Sequence, residues 1–270
     1  MPFRAVHLPL AAFLLATAVD AASPAAAVAQ RDGAVTLRLV SSRRVPTDDL
    51  AALGLTGANK PNGAASRLRM GVPDGLPPAI QRMDGARELF LADSTEDGWL
   101  ALYRTPLAKL PPNHGNGEYR VTMFAPDGRT RWTLDLARFL SRLNRLEVQD
   151  VRYAGGKLYF NEACQSYSRE AGGRCSALVR VDAARGTVDW RTPPLVSNNV
   201  FILHGRWVIA GYGFTAEPDY LRVVDRETGR VLARRLVDSA PTYLEMKDGR
   251  LHVLTYSNTH YVFEIVPARR

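Results

Sequence analysis

From Glu88 to Val266 short apolar runs alternate with tight polar turns. Their period is the two-residue period of half-buried strands, not the 3.6-residue period of helices. The runs fall into groups of four. The first group reads Glu88–Asp93, Gly98–Arg104, Glu118–Ala125 and Thr130–Leu136. The second reads Val148–Tyr153, Lys157–Ala163, Ser176–Asp182 and Thr187–Arg191. The third reads Val200–Leu203, Arg206–Tyr212, Tyr220–Asp225 and Arg230–Leu236. The fourth offers Tyr243–Lys247, Arg250–Tyr256 and Thr259–Val266, then stops. Val35–Val40 alternates in the same way. It is predicted to supply the missing strand, close the last group and remove an exposed sheet edge.

Glycine punctuates the groups in two series. Gly98, Gly156, Gly205 and Gly249 follow the first strands; Gly128, Gly186 and Gly229 follow the third. Gly98 to Gly156 is 58 residues, and so is Gly128 to Gly186. Two turn series moving nearly in step indicate stacked β-units rather than one large sheet. Two stretches break the pattern. Over Asp135–Leu146, Leu136, Phe139, Leu140 and Leu143 recur at helical spacing, opposite Arg138, Arg142 and Arg145. An amphipathic helix packed on the strands is predicted there. Residues 41–86 are rich in Gly, Ala and Pro. They read as an irregular decorating segment or a degenerate repeat, with a short helix from Asp48 to Leu53 capped by Thr47.

Composition adds the compartment. Arg4, the apolar run Leu8–Val19 and Ala27-Val28-Ala29 read as a secretory signal cleaved near Ala29. This leaves residues 30–270 as one domain, expected to be periplasmic or secreted. The apolar run is too short to span a bilayer, which takes about 20 residues. The net charge of +8 rests mainly on arginine, spread along the chain. For an exported protein this argues against nucleic acid and for a mild attraction to anionic lipid or polysaccharide. In an oxidising compartment Cys164 and Cys175 read as a disulfide closing a polar loop.

Val181-Asp182-Ala183-Ala184-Arg185-Gly186-Thr187-Val188-Asp189-Trp190 and Val224-Asp225-Arg226-Glu227-Thr228-Gly229-Arg230-Val231-Leu232 resemble the repeat of pyrroloquinoline-quinone-type β-propellers. Phe124–Trp132 is a shortened copy, with Trp132 matching Trp190. The resemblance implies an all-β propeller of four to five four-stranded blades, with the N-terminal strand closing the last. It also implies that the repeat tryptophan packs between neighbouring blades. The third unit carries Ala233 in its place. Quinone-dependent enzymes of the family carry adjacent cysteines and a calcium site, whereas Cys164 and Cys175 are apart. A related group scaffolds outer-membrane protein assembly as lipoproteins, whereas no lipid-attachment cysteine follows the apolar run here.

In such a fold the turns joining strands 1 to 2 and 3 to 4 share one face. Here they are short. The connections on the other face are long, and long loops on a rigid scaffold commonly carry function. On that face Tyr212, Phe214, Glu217 and Asp219 mix aromatic rings with carboxylates, and Asn198 and Asn199 lie nearby in sequence. These six are the candidate ligand-binding residues, suited to an envelope protein, a peptide or a polysaccharide. No Gly-x-Ser-x-Gly motif, phosphate-binding loop or dinucleotide fingerprint is present. Asp93–Gly98 imitates the start of a calcium loop, but its twelfth position is Arg104, so it reads as an acidic hairpin turn. His252 and His260 sit on adjacent predicted strands without a metal-ligand pattern. No catalytic residue, metal or cofactor is expected. The expected function is a non-catalytic binding or scaffold protein of the cell envelope. The alternative is a small propeller enzyme, either a quinone-linked oxidoreductase or a glycan-directed hydrolase or lyase.

Overall fold

The computed structural model describes residues 35–46, 50–55, 65–67, 75–106, 117–143 and 146–268. Gly33–Arg270 is one compact unit. The signal segment and Thr47 lie outside the described residues. The fold is all-β and built from four antiparallel sheets.

Sheet I contains β3 (Met83–Asp84), β4 (Arg87–Thr95), β5 (Gly98–Arg104), β6 (Tyr119–Phe124) and β7 (Thr130–Asp135) in that order. Sheet II contains β9 (Val151–Ala154), β10 (Lys157–Cys164), β11 (Ala177–Asp182) and β12 (Thr187–Arg191), and β8 (Leu146–Glu147) also pairs with β10. Sheet III is β13 (Phe201–His204), β14 (Trp207–Tyr212), β15 (Asp219–Asp225) and β16 (Val231–Val237). In sheet IV, β17 (Pro241–Lys247), β18 (Arg250–Thr255) and β19 (Thr259–Pro267) are flanked by β2 (Ala65–Arg67) and β1 (Val35–Arg44). The predicted N-terminal strand thus pairs antiparallel with the last strand, from Val35 opposite Pro267 to Arg44 opposite Thr259. It runs four residues past Val40, so residues 41–44 are strand and not decorating loop.

Adjacent sheets share apolar faces. Leu100, Val121 and Met123 of sheet I pack with Val151, Phe160 and Val179 of sheet II. Tyr159 and Leu178 of sheet II meet Phe201, Val208 and Val224 of sheet III. Ile209 and Leu221 of sheet III meet Leu251, Val253 and Phe263 of sheet IV, with Leu37 of β1. The two outward faces are covered by the irregular segment. Val45, Leu50 and Leu55 lie on Tyr243 and Leu254 of sheet IV, and Ile80 lies on Leu89 and Tyr103 of sheet I. The segment adds β2 to one sheet edge and β3 to another.

The turn chemistry explains the sequence repeat. In the third-to-fourth strand turns the aspartate side chain accepts backbone N–H groups: Asp225 Oδ1 from Thr228 N at 2.8 Å, and Asp182 Oδ1 from Arg185 N at 2.8 Å. Burial would push the Asp225 carboxyl up, but bonds from Thr228 and Arg206 hold it below its ordinary value. A β-bulge precedes this turn in three sheets, at Met123/Phe124, Arg180/Val181 and Val223/Val224. Gly229 is forced for two reasons: its φ is +72°, and a Cβ there would come within 2.8 Å of the Trp190 ring. The repeat tryptophan therefore packs on the next sheet's turn, and its Nε1 donates to Arg226 O at 3.2 Å. Trp132 packs in the same sense on Tyr153 of sheet II, at 5.7 Å between ring centres.

The predicted helices are corrected. Among the described residues Asp135–Leu146 holds only one 3-10 turn, Leu136–Arg138. An α-helix would need Ser141 N–H for its own ladder. That N–H donates instead to Glu162 Oε1 at 2.7 Å, and the Phe139 carbonyl is taken by Arg191. The helical spacing of leucines reflects a chain folded flat on two apolar clusters, with Leu136 and Phe139 in one and Leu143 at the other. Residues 50–54 likewise form successive turns rather than a helix.

Candidate functional site

A pocket of about 440 Å3 lies between sheets III and IV, lined by Phe214 from the β14–β15 connection, by Asp219 at the start of β15, by Asp238 and Ser239 from the short β16–β17 connection, by Tyr256 from the β18–β19 turn, and by Asn199. Each connection is pinned. Asp238 accepts Thr255 Oγ1 at 2.9 Å and is also bonded by Thr259 Oγ1. Ser257 N donates to Ser239 Oγ at 2.8 Å, tying the two turns together. Tyr256 is 72% exposed and stands at the rim.

Asp219 is the unusual group. Its Oδ1 is buried and makes no hydrogen bond among the described residues. It sits so close to Gly213 that a Cβ there would lie 1.7 Å from it, so glycine is the residue that leaves room. Burial, with the carboxylates of Asp238 and Glu217, pushes the Asp219 carboxyl up to about 6. Its under-bonded carboxylate shares the pocket with a second carboxylate, Asp238, and the rings of Phe214 and Tyr256.

The six predicted site residues separate into two kinds. Phe214, Asp219 and Asn199 line the pocket. Tyr212, Glu217 and Asn198 hold the loops in place. Buried Tyr212 donates its hydroxyl to Glu217 Oε2, and Glu217 Oε1 accepts Ser168 N at 2.7 Å. Burial and that bond raise the Tyr212 phenol above its ordinary value. Asn198 clasps Gly213 twice, accepting its N–H and donating to its carbonyl, each at 2.9 Å. Sequence reasoning did not find Asp238, Ser239 or Tyr256. Asp238-Ser239-Ala240-Pro241 carried only an ordinary turn signal, and its role depends on which sheet ends meet.

The Cys164–Cys175 disulfide is formed. It buttresses the pocket wall: the cysteines pack with Leu146 and Phe214, and Tyr167 in the closed loop lies 5.9 Å from the Phe214 ring.

A second polar group, also unforeseen, lies in the interior. Arg152 is 1% exposed and donates to Asp93 Oδ2 at 3.0 Å and to Asp150 Oδ2 at 3.1 Å. Asp150 Oδ2 also accepts Phe201 N at 3.1 Å, so the cluster ties sheets I, II and III. Burial alone would depress the Arg152 guanidinium, but the two carboxylates more than offset it and hold it above its ordinary value. Asp93 is thereby used for structure. The rest of the acidic turn is too: Glu96 accepts Gly155 N at 2.6 Å and Asp97 accepts the Tyr153 hydroxyl at 2.8 Å. His252 Nδ1 and His260 Nε2 lie 3.1 Å apart on β18 and β19. Among the described residues no group of three or more His, Cys, Asp or Glu side chains could hold a metal ion. No helix among them is long and apolar enough to cross a membrane.

No protein-family model matches the chain, and no curated protein does. Among solved structures it is similar to a chain of a mitotic checkpoint complex, with a TM-score of 0.44 and 10% identity over 66% of this chain and 49% of that one. It is also similar to BamB from Moraxella catarrhalis, with a TM-score of 0.35 and 13% identity over 84% and 99%. The third is a europium-containing methanol dehydrogenase, with a TM-score of 0.33 and 13% identity over 76% and 28%. The chain thus spans about half the length of the first of these. Likenesses this distant carry no activity, cofactor or partner to the chain.

Proposed function

We propose that the chain is an exported β-propeller of four blades, with β1 as the fourth strand of the last. Its pocket between sheets III and IV binds a cationic side chain of an extended peptide segment in a protein partner of the cell envelope. The propeller reading is supported by the meander order of the sheets, the recurring bulge and aspartate turn, and the tryptophans packed from one sheet to the next. The observation that carries the ligand class is Asp219 Oδ1, buried without a hydrogen-bond partner beside Asp238, Phe214 and Tyr256 in a protein of net charge +8. An acidic site on a basic protein selects a lysine or arginine over an acidic or neutral group. Export is supported by the N-terminal apolar run and the disulfide.

The test is calorimetric titration with acetyl-Gly-Lys-Gly amide against the same peptide carrying norleucine. The lysine peptide should bind and the norleucine peptide should not. D219N should weaken binding about tenfold or more, the scale of one hydrogen bond to a charged group. Equal binding of both peptides would refute the cation reading. A second reading is glycan hydrolysis or lyase action, which the two carboxylates Asp219 and Asp238 sharing one pocket favour. Release of reducing ends from envelope glycan, lost in D219N, would establish it.

A further inference from the structure

In sheet III, Arg222 of β15 and Arg234 of β16 stand directly opposite each other. Like charges in that register destabilise a sheet, and opposite charges are the usual pairing. Neither arginine makes an ion pair among the described residues. Arg222 is half-buried; its Nη2 donates to Leu195 O at 3.1 Å, while its Nε is buried without a partner among the described residues. Burial and the Arg234 charge depress the Arg222 guanidinium below its ordinary value. Both guanidinium carbons lie over the Tyr220 ring, at 4.6 Å and 5.0 Å from its centre. Tyr220, Arg234, Arg235 and the 62% exposed Leu236 line a surface pocket of about 530 Å3.

The arrangement is poorly balanced as it stands. Arg222 and Arg234 face each other with no ion-paired carboxylate among the described residues, and the Tyr220 ring orients both. One dianion held by Arg234 in that pocket would cancel the repulsion. Guanidinium forks match tetrahedral oxyanions in shape and charge. We infer that Arg234 and Tyr220, with the charge of Arg222 opposite them, form a phosphate-binding site distinct from the acidic pocket. Its ligand is a phosphate group carried either on a soluble ester or on a lipid headgroup.

Thermal unfolding with increasing inorganic phosphate, against chloride at equal ionic strength, tests this. At tenfold excess over Kd the midpoint should rise by about 3–6 °C. R234Q should lose that rise. In phosphate-free buffer R234Q should be at least as stable as wild type, because it removes a like-charge pair. R222Q is the second variant, and calorimetric titration of phosphate into whichever variant keeps the wild-type circular dichroism gives an independent reading. Sedimentation with phosphatidylglycerol vesicles separates the sources. Capture that depends on Arg234 assigns the lipid headgroup, and phosphate stabilisation without capture assigns the soluble ester. Stabilisation no greater than with chloride, or equal in wild type and R234Q, would overturn the inference.

Discussion

At the residue scale the account turns on a few groups whose surroundings oppose their charge. Arg152 is the structural case. Replacing it with leucine leaves Asp93 and Asp150 buried without their counter-ion, which costs about 3–5 kcal/mol. Urea unfolding of R152L should show that loss, and a change below about 1 kcal/mol would mean that the cluster does not tie the sheets together. His260 is the titrating case. Burial, with His252 and Arg43 nearby, lowers its pKa to about 4, and His252 is lowered as well. Other charges around the pair come from Glu245 on β17, from Lys247 and Asp248 at its end, and from Arg250 on β18. A depressed folded-state value means that the unfolded chain binds the extra proton. Stability should therefore fall as pH drops from 6.5 toward 4. Asp219 has the opposite sign: its raised value favours the protonated folded form between about 6 and 3.8. H260N should flatten the acid loss measured by urea unfolding across that range, and D219N should steepen it. Cation binding in the pocket should weaken as pH falls through about 6.

At the element scale the strands were legible because each carries its own alternation and each turn its own glycine or aspartate. Val35–Val40 could be placed on the last strand because an apolar alternation with no partner leaves an open edge. The failures have a common physical origin. Leu136, Phe139, Leu140 and Leu143 repeat as in a helix, but Glu162 and Arg191, distant in sequence, take the backbone groups a helix needs. The loop half of the site was legible only in part. Tyr212, Glu217 and Asn198 have the chemistry of ligand contacts, yet internal bonds use it. Nothing local marks Asp238 as facing Asp219. Deleting residues 35–44 should lower the melting temperature by about 10 °C or more. It removes buried Leu37, worth about 2–5 kcal/mol, together with the ladder to β19. An unchanged melting temperature would show that β1 contributes nothing to the fold.

At the scale of the whole molecule, three sheet-to-sheet cores hold in place the connections that bound the acidic pocket. Two outward faces are covered by the irregular segment. The connections between sheets III and IV carry the acidic pocket, and Tyr220 of β15 with Arg234 of β16 carries the basic one. Backbone amide NMR shifts during titration with acetyl-Gly-Lys-Gly amide test this arrangement most directly. Saturable shifts should centre on Gly213, Ser239 and Ser257, and leave the opposite turns at Gly98, Gly156, Gly205 and Gly249 unmoved. Shifts centred on those turn glycines, or none that saturate, would contradict it.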